Sequence, residues 1–396
     1  MVKVLVVGQT PPPYLGQPIM LQKLLDSGIA DVELHHVGIR LSTDANEVGR
    51  FGWTKVLNLF PIIAHIWWAR IFRGVKILYY PPAGPNRVTM FRDFAILLPT
   101  RFLFAKTIFH FHASGLSEMY PRLPAWQRWL FRRAYYNADA GIRLSELTPD
   151  DARQLRVHRE YVIANGIDDP CPAGPITDTT PVSTQRPLRV LFVAMLRESK
   201  GVLVLIEAAA QLAQRGVPVE VEIMGQFISP EFADRVHARV KELGVEDRVK
   251  FLGMLTGDAK FAAYARADIF SMPTFYESEA FPVVLLEAMA YGLPIVATRW
   301  RGIPTIVDDE VTGFLVEPRD SSPVADRIAE LAEDPALRVR LGQAGREKFL
   351  DLYVWERHLT NMRRVFLDTA GIVDARHDEV TLQQPAPSEA KVEALA

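Results

Sequence analysis

Residues 275–297 read FYESEAFPVVLLEAMAYGLPIVA. Pro282 suits a first helical position, where the missing N–H is not needed, and the apolar run after it is closed by Gly292 and Pro294. This predicts a helix with Pro282 at its first position and Val283 to Tyr291 following, and then a strand at Ile295-Val296-Ala297. Three carboxylates lie in this greasy text, Glu277, Glu279 and Glu287. Glu287 sits inside the apolar run, where a bare charge is expensive. Glu279 lies in the preceding loop, eight residues earlier, so both can face one ligand roughly 10 Å long at the helical rise. A carboxylate accepts hydrogen bonds from two adjacent sugar hydroxyls, and a helix start offers free N–H groups to a phosphate between them. The plainer alternative has Glu287 pointing to water and Glu279 as a surface acid. Glu277 misses the spacing and reads as a loop residue.

Outward from this unit, strand-like runs alternate with helical patterns along the chain. VKVLVV, VKILYY, TIFHFH and AGIRL in the first half, and LRVLFVAML, VEVEIMG, VKFLG and ADIFSMP in the second, are each followed by helical or loop text. Such alternation predicts parallel sheets covered by helices. A stretch rich in proline and threonine, about 168–189, reads as a linker between an N-terminal domain, 1–180, and a C-terminal domain, 188–370. Two such α/β domains face each other across a cleft, with ligands beyond the carboxyl ends of their strands. The last helical text, 346–370, carries the aromatic anchors Phe349, Tyr353, Trp355 and Phe366, and the polar text at 373–396 reads as a disordered tail.

The chain has 396 residues, too many for one ordinary core, with 49% apolar and 23% charged residues. Its single cysteine, Cys171, excludes an internal disulfide framework and a cysteine-based zinc site. The first apolar run is too short for a signal peptide and no run reaches the length of a spanning helix, so a cytoplasmic protein is expected. The charge is uneven. Residues 1–187 hold 21 Lys and Arg against 15 Asp and Glu, and the remainder 24 against 32, giving halves of +6 and −8. Residues 50–133 carry 13 basic groups and two acids, Asp93 and Glu118. Within them FGWTKVLNLFPIIAHIWWARIFRG and WQRWLFRRAYY mix arginines with tryptophans, which suits peripheral binding to an anionic membrane surface on its inner face, if the aromatics are not core residues.

Glu279-(AFPVVLL)-Glu287-Ala288-Met289-Ala290-Tyr291-Gly292-Leu293-Pro294 resembles the signature of the retaining, GT-B-fold glycosyltransferases of the group 1 family, and Gly302-Ile303-Pro304 and Gly313-Phe314-Leu315-Val316 extend the likeness. The resemblance implies two Rossmann-like domains with a C-terminal helix crossing back, and a metal-independent hexosyl transfer from a nucleotide-diphosphate sugar, UDP- or GDP-linked, to a hydroxyl of a glycan or lipid-linked acceptor. Such chemistry serves polysaccharide or glycolipid assembly. By the same resemblance Glu279 contacts the donor sugar and Glu287 the ribose. Ala280, where the family usually has glycine, Phe281, Pro282 and Val283 line the substrate. Lys200, in Arg197-Glu198-Ser199-Lys200-Gly201, meets the leaving diphosphate, a role suited to a compact charge. Arg197 is the candidate for a second phosphate cation. Gly16 stands where relatives carry a glycine doublet facing phosphate.

His110 and His112 alternate onto one face of a strand, and the resemblance places His112 at its end near the reacting sugar. Asn165-Gly166-Ile167-Asp168 resembles the family's turn at the domain junction. No Asp-x-Asp and no His, Cys and carboxylate cluster with metal spacing occurs, so neither a metal nor another cofactor is expected, and nothing points to nucleic acid. Two other functions fit a GT-B chain, a nucleotide-sugar epimerase and a non-catalytic nucleotide-sugar-binding membrane adaptor. The long Glu-Glu signature and the presence of Lys200 and His112 argue against both.

Overall fold

The computed structural model describes residues 1–12, 16–39, 57–175 and 179–372. The expected tail and Trp53 lie outside them. In chain order the helices are α1 (Gly16–Asp26), α2 (Leu59–Phe72), α3 (Arg87–Thr100), α4 (Ala125–Tyr135), the single turn α5 (Asp151–Gln154), α6 (Val202–Gln214), α7 (Pro230–Leu243), α8 (Gly257–Arg266), α9 (Val283–Ala290), α10 (Ile303–Ile306), α11 (Ser321–Glu333), α12 (Pro335–Leu352) and α13 (Trp355–Thr369). They cover two parallel six-stranded sheets.

The first sheet contains β1 (Val2–Gly8), β2 (Val32–Gly38), β3 (Ile77–Tyr80), β4 (Lys106–Phe111), β5 (Ala140–Arg143) and β6 (Arg159–Val162), in the order β2-β1-β3-β4-β5-β6. The second contains β7 (Leu188–Val193), β8 (Val219–Met224), β9 (Val249–Gly253), β10 (Ile269–Met272), β11 (Ile295–Thr298) and β12 (Gly313–Val316), in the order β12-β11-β10-β7-β8-β9. The winding reverses between β1 and β3 and between β7 and β10. Crevices at such switch points, beyond the carboxyl ends of the strands, are where open α/β sheets bind ligands.

Continuous apolar strand text follows from burial on both faces. On one face of the first sheet, Val4 and Val6 pack with Leu21 of α1 and Val365 and Phe366 of α13. On the other, Leu5 and Val7 pack with Ile66 of α2, Phe94 of α3 and Phe131 of α4. In the second sheet Val190 and Phe192 share a core with α6, α7 and α11, and Leu191 and Phe270 share one with α8 and α9. The C-terminal helix does cross back. Phe349 and Tyr353 are buried in the second core and Trp355 and Phe366 in the first. At the crossing, Ile167 N–H donates to Tyr353 O at 3.0 Å and Trp355 N–H to Ile167 O at 2.9 Å. A Cβ at Gly166 would lie 2.7 Å from Val354 O, so glycine is needed for this approach.

One boundary differs from the sequence reading. Pro282 is the extended residue just before the helix, with φ −68° and ψ 115°, and α9 begins at Val283. Either position spares the missing N–H, and the loop that holds Glu279 keeps Pro282 extended.

Candidate functional site

Glu279 sits in the loop between β10 and α9, at the switch point of the second sheet, and is only 6% exposed. Its Oε2 accepts from Lys200 Nζ at 2.6 Å and from Thr274 Oγ1 at 3.3 Å, while no described residue donates to Oε1. The loop is braced from several sides. Phe275 N–H donates to Ser199 O at 2.8 Å, the single Thr274 hydroxyl proton is shared between that carbonyl, 3.1 Å from Oγ1, and Glu279, and Trp300 Nε1 donates to Tyr276 O at 2.8 Å. A Cβ at Gly302 would lie 1.9 Å from Ala280 O, which ties the expected Gly-Ile-Pro element to the Glu279 loop. Ala280 and Phe281 are buried in the second core rather than open to the cleft, and Val283 is half-buried.

Lys200 closes the turn 198–200 after β7, and Gly201 follows at φ +83° as the residue before α6. Its position allows no side chain, since a Cβ would lie 2.0 Å from Pro273 O. Lys200 and Arg197 both lie over the Tyr276 ring, each 4.7 Å from its centroid. Two cations and a helix N-terminus therefore gather beside Glu279, a setting for an anion flanked by a hydroxyl-bearing group.

Glu287 is 7% exposed on the second turn of α9. It has partners that the sequence reading missed. Tyr264 OH donates to Oε2 at 2.7 Å and the Lys260 ammonium pairs with Oε1, both from α8. Burial first, and then the Glu287 carboxylate, push the Tyr264 phenol well up, so it stays a donor. Lys260 and Tyr264 are one turn apart on one helix, but 27 and 23 residues from Glu287 in sequence, and only packing brings them together.

The first domain reaches this corner through the end of β4. Ser114 Oγ donates to Glu279 O at 3.0 Å and Ser114 N–H to Ser278 O at 3.5 Å, two residues after His112. Asn165 Nδ2 donates to Phe281 O at 3.3 Å. His112 stacks on His110 at 3.9 Å between centroids, and His110 Nδ1 bonds Tyr79 OH at 2.6 Å. His358 of α13, parallel to His110 at 6.5 Å, bonds Ala164 O at 2.7 Å through Nδ1. Burial, with His358 close by, depresses His112 to about 3, and burial holds His358 at about 4. Near pH 7 all these rings are neutral, and the sequestered Nε2 of His112 has no partner among the described residues. A neutral imidazole there can exchange a hydrogen bond with a hydroxyl and carries no charge.

A cleft of about 440 Å³ opens beyond the carboxyl ends of β7, β8 and β9, among Leu196, Gly225, Phe227, Phe251, Gly253 and Met254. A second cavity, about 400 Å³, lies at the amino ends of β4 and β6, away from the switch points. Gly16 is exposed at the start of α1, on the first sheet's side, and a Cβ there would meet nothing within 4 Å among the described residues. The structure thus brings Glu279, Lys200 and Arg197 together, with the His112 strand end at their edge, and places Glu287 one helix turn into α9. Among the described residues no group of three His, Cys, Asp or Glu is placed to hold a metal.

Residues 180–348 match the model of a family described as Glycosyl transferases group 1. Over 157 residues the chain is 38% identical to a D-inositol 3-phosphate glycosyltransferase of Corynebacterium efficiens, covering 39% of this chain and 37% of that protein. Over 269 residues it is 31% identical to the putative colanic acid biosynthesis glycosyltransferase WcaL of Escherichia coli K12, covering 65% and 61%. It thus spans less than two thirds of either relative, 37% of the first and 61% of the second. Among solved structures, sucrose-phosphate synthase of Thermosynechococcus elongatus superposes with a TM-score of 0.72 at 20% identity, over 94% of this chain and 100% of that one. HepE of Anabaena, solved with UDP-glucose, superposes at 0.67 with 18% identity, over 94% and 100%. At these identities the likeness shows the fold, which is GT-B.

Proposed function

Because the family match over residues 180–348 and the curated relatives support membership of the group 1 glycosyl transferases, we propose that the chain transfers a sugar from a nucleoside-diphosphate sugar to an acceptor hydroxyl with retention of anomeric configuration. The observation that carries this reading is the Lys200–Glu279 pair at the switch point of the second sheet, beside Arg197 and the start of α6. Before the donor arrives the two charges neutralise each other. A bound diphosphate takes over Lys200, and Arg197 is its second cation. Glu279 then turns its carboxylate to sugar hydroxyls, with Oε1 already without a donor among the described residues. Glu287 accepts from the ribose hydroxyls in competition with Lys260 and Tyr264, and the cleft among Phe227, Phe251 and Met254 holds the base. Pro282 leads into α9, whose first N–H groups, from Val283 on, face the phosphates, and Gly16 lets the first domain's backbone approach them.

As the glycosidic C–O bond breaks, negative charge grows on the diphosphate, and Lys200 with the helix N-termini stabilises it. His112, neutral, orients a sugar hydroxyl through Nε2. No side chain is assigned as a covalent nucleophile; the departing phosphate oxygen takes the acceptor proton, and attack comes on the face it leaves. The reaction needs no metal. HepE, with UDP and UDP-glucose in its structures, supports a UDP-sugar as the first donor to try, with GDP-sugars second. WcaL, named for colanic acid biosynthesis, supports a role in polysaccharide assembly, for which the acceptor is a hydroxyl of a glycan or a lipid-linked sugar.

The test is release of nucleoside diphosphate from a panel of UDP- and GDP-sugars, with and without glycan and lipid-linked acceptors, in buffer containing EDTA. Acceptor-dependent release, an α-linked product from an α-linked donor, and a fall of roughly a hundredfold or more in kcat for Glu279→Gln are expected. Sugar isomerisation without acceptor, or full activity of Glu279→Gln, contradicts the reading.

A further inference from the structure

Helix α2 reads LFPIIAHIWWARIF. Its buried residues, Leu59, Ile62, Ile66 and Ala69, recur at helical spacing and face the first sheet. The opposite face of a surface helix ordinarily carries charge. Here it carries Phe60, Trp67, Trp68, Ile71 and Phe72, each between 40% and 70% exposed, and the only charged residue of the helix is Arg70. The strip continues over the two neighbouring helices. Trp67 meets Phe102 edge-on at 6.2 Å and donates from Nε1 to Pro99 O at 3.2 Å, while Trp126 of α4 stacks on Phe91 of α3 at 6.1 Å. Among the described residues, every exposed Phe or Trp lies on this layer.

The charge around the strip has one sign. The two carboxylates among residues 57–135 are both engaged elsewhere. Asp93 is buried and accepts from Tyr80, Tyr135, Arg92 and the Ala83 N–H, and Glu118 pairs with Arg301 of the second domain. Arg73 and Arg133 lie over the rings of Trp68 and Trp129, at 5.2 and 5.3 Å, and Arg128 and Arg132 are exposed on α4. None of these four has a carboxylate partner among the described residues.

We infer that the outer face of α2, α3 and α4 docks on an anionic lipid bilayer, with the aromatic rings at the level of the headgroups and the arginines on lipid phosphates. Interfacial tryptophan and arginine together are what such a boundary selects. A second copy of the chain is disfavoured as occupant, because a two-fold contact would set the arginines of α4 against their own copies. The inference is independent of the reaction assigned above.

The full chain is sedimented with vesicles of phosphatidylcholine alone and of phosphatidylcholine with 30% phosphatidylserine, at 50 mM and 500 mM salt. Binding to the anionic vesicles only, lost at high salt, with a blue shift of tryptophan fluorescence, is expected. The triple variant Arg128→Gln, Arg132→Gln, Arg133→Gln should lower partitioning at least about tenfold. Trp68→Ala and, separately, the more exposed Phe72→Ser should lower it with the melting temperature kept, which separates docking from folding. No binding to anionic vesicles at 50 mM salt, equal binding to both vesicles, or a dimer in light scattering that Trp68→Ala and Phe72→Ser convert to monomer overturns the inference.

Discussion

Glu287 tolerates its place in an apolar helix because α8 brings a phenol and an ammonium to it. Tyr264→Phe leaves one oxygen of a nearly buried carboxylate without its donor, and a hydrogen bond to a charged group contributes about 1.5–3 kcal/mol. Urea unfolding at pH 7.5 is therefore expected to give a loss of that size, against little change for Tyr276→Phe. The pattern of Glu279 and Glu287 was legible in the sequence, because a loop and a helix start fix their spacing. Their partners were not. Lys200 reads in the sequence as a phosphate cation and nothing there shows that it also holds Glu279, and Lys260 and Tyr264 carry no local signal, since helix packing decides what meets Glu287. At the same scale, Lys200→Ala strands Glu279 among Thr274 and apolar neighbours while removing a phosphate cation. It should weaken nucleoside diphosphate binding by roughly tenfold or more in titration calorimetry.

At the level of elements, the strap from β7 to α6 depends on Gly201. Its left-handed backbone and the 2.0 Å approach a Cβ would make to Pro273 O leave Gly201→Ala no unstrained position. The variant should lose about 2 kcal/mol or more of stability, and ligand binding with it, because the turn carrying Lys200 must move. Lys-Gly was visible in the sequence as a motif, but the closeness of Pro273 was not, for it follows from β10 pairing with β7, Ile269 beside Val190, 79 residues away in the chain. The start of α9 shows the limit from the other side. Proline is compatible with both the first helical position and the residue before it, and bracing of the 274–282 loop chose the second. For α2 and α4 the sequence left the aromatics open between core and surface. The sheet order settles this by using one face of each helix and leaving the other uncovered.

Across the whole molecule, the two sheets meet at a seam made by the β4 end, the Asn165–Gly166 turn and α13, and three histidines lie in it. Burial depresses His112 to about 3 and His358 to about 4, and lowers His110 as well. In the unfolded chain a histidine titrates near about 6.5, so below that pH the unfolded state binds more protons than the folded one. Their contribution is therefore fully present above about pH 6.5 and is lost as the pH falls from there towards the folded values. The urea midpoint should drop between pH 7.5 and 5.5, with a shallower drop for His358→Asn; a flat midpoint would contradict the assignment. The two-domain α/β plan was legible from alternating strand and helix text and a proline-rich linker. The seam was not, because it joins residues 110, 165 and 358. The central claim, that the switch-point crevice of the second domain takes a nucleoside diphosphate, is tested most directly by thermal shift with UDP, GDP and ADP on the wild type and on Glu287→Ala. Stabilisation follows ligand occupancy, so the account predicts a rise in Tm with one of the three nucleotides that Glu287→Ala largely abolishes. No rise with any of them, or an undiminished rise in Glu287→Ala, would contradict it.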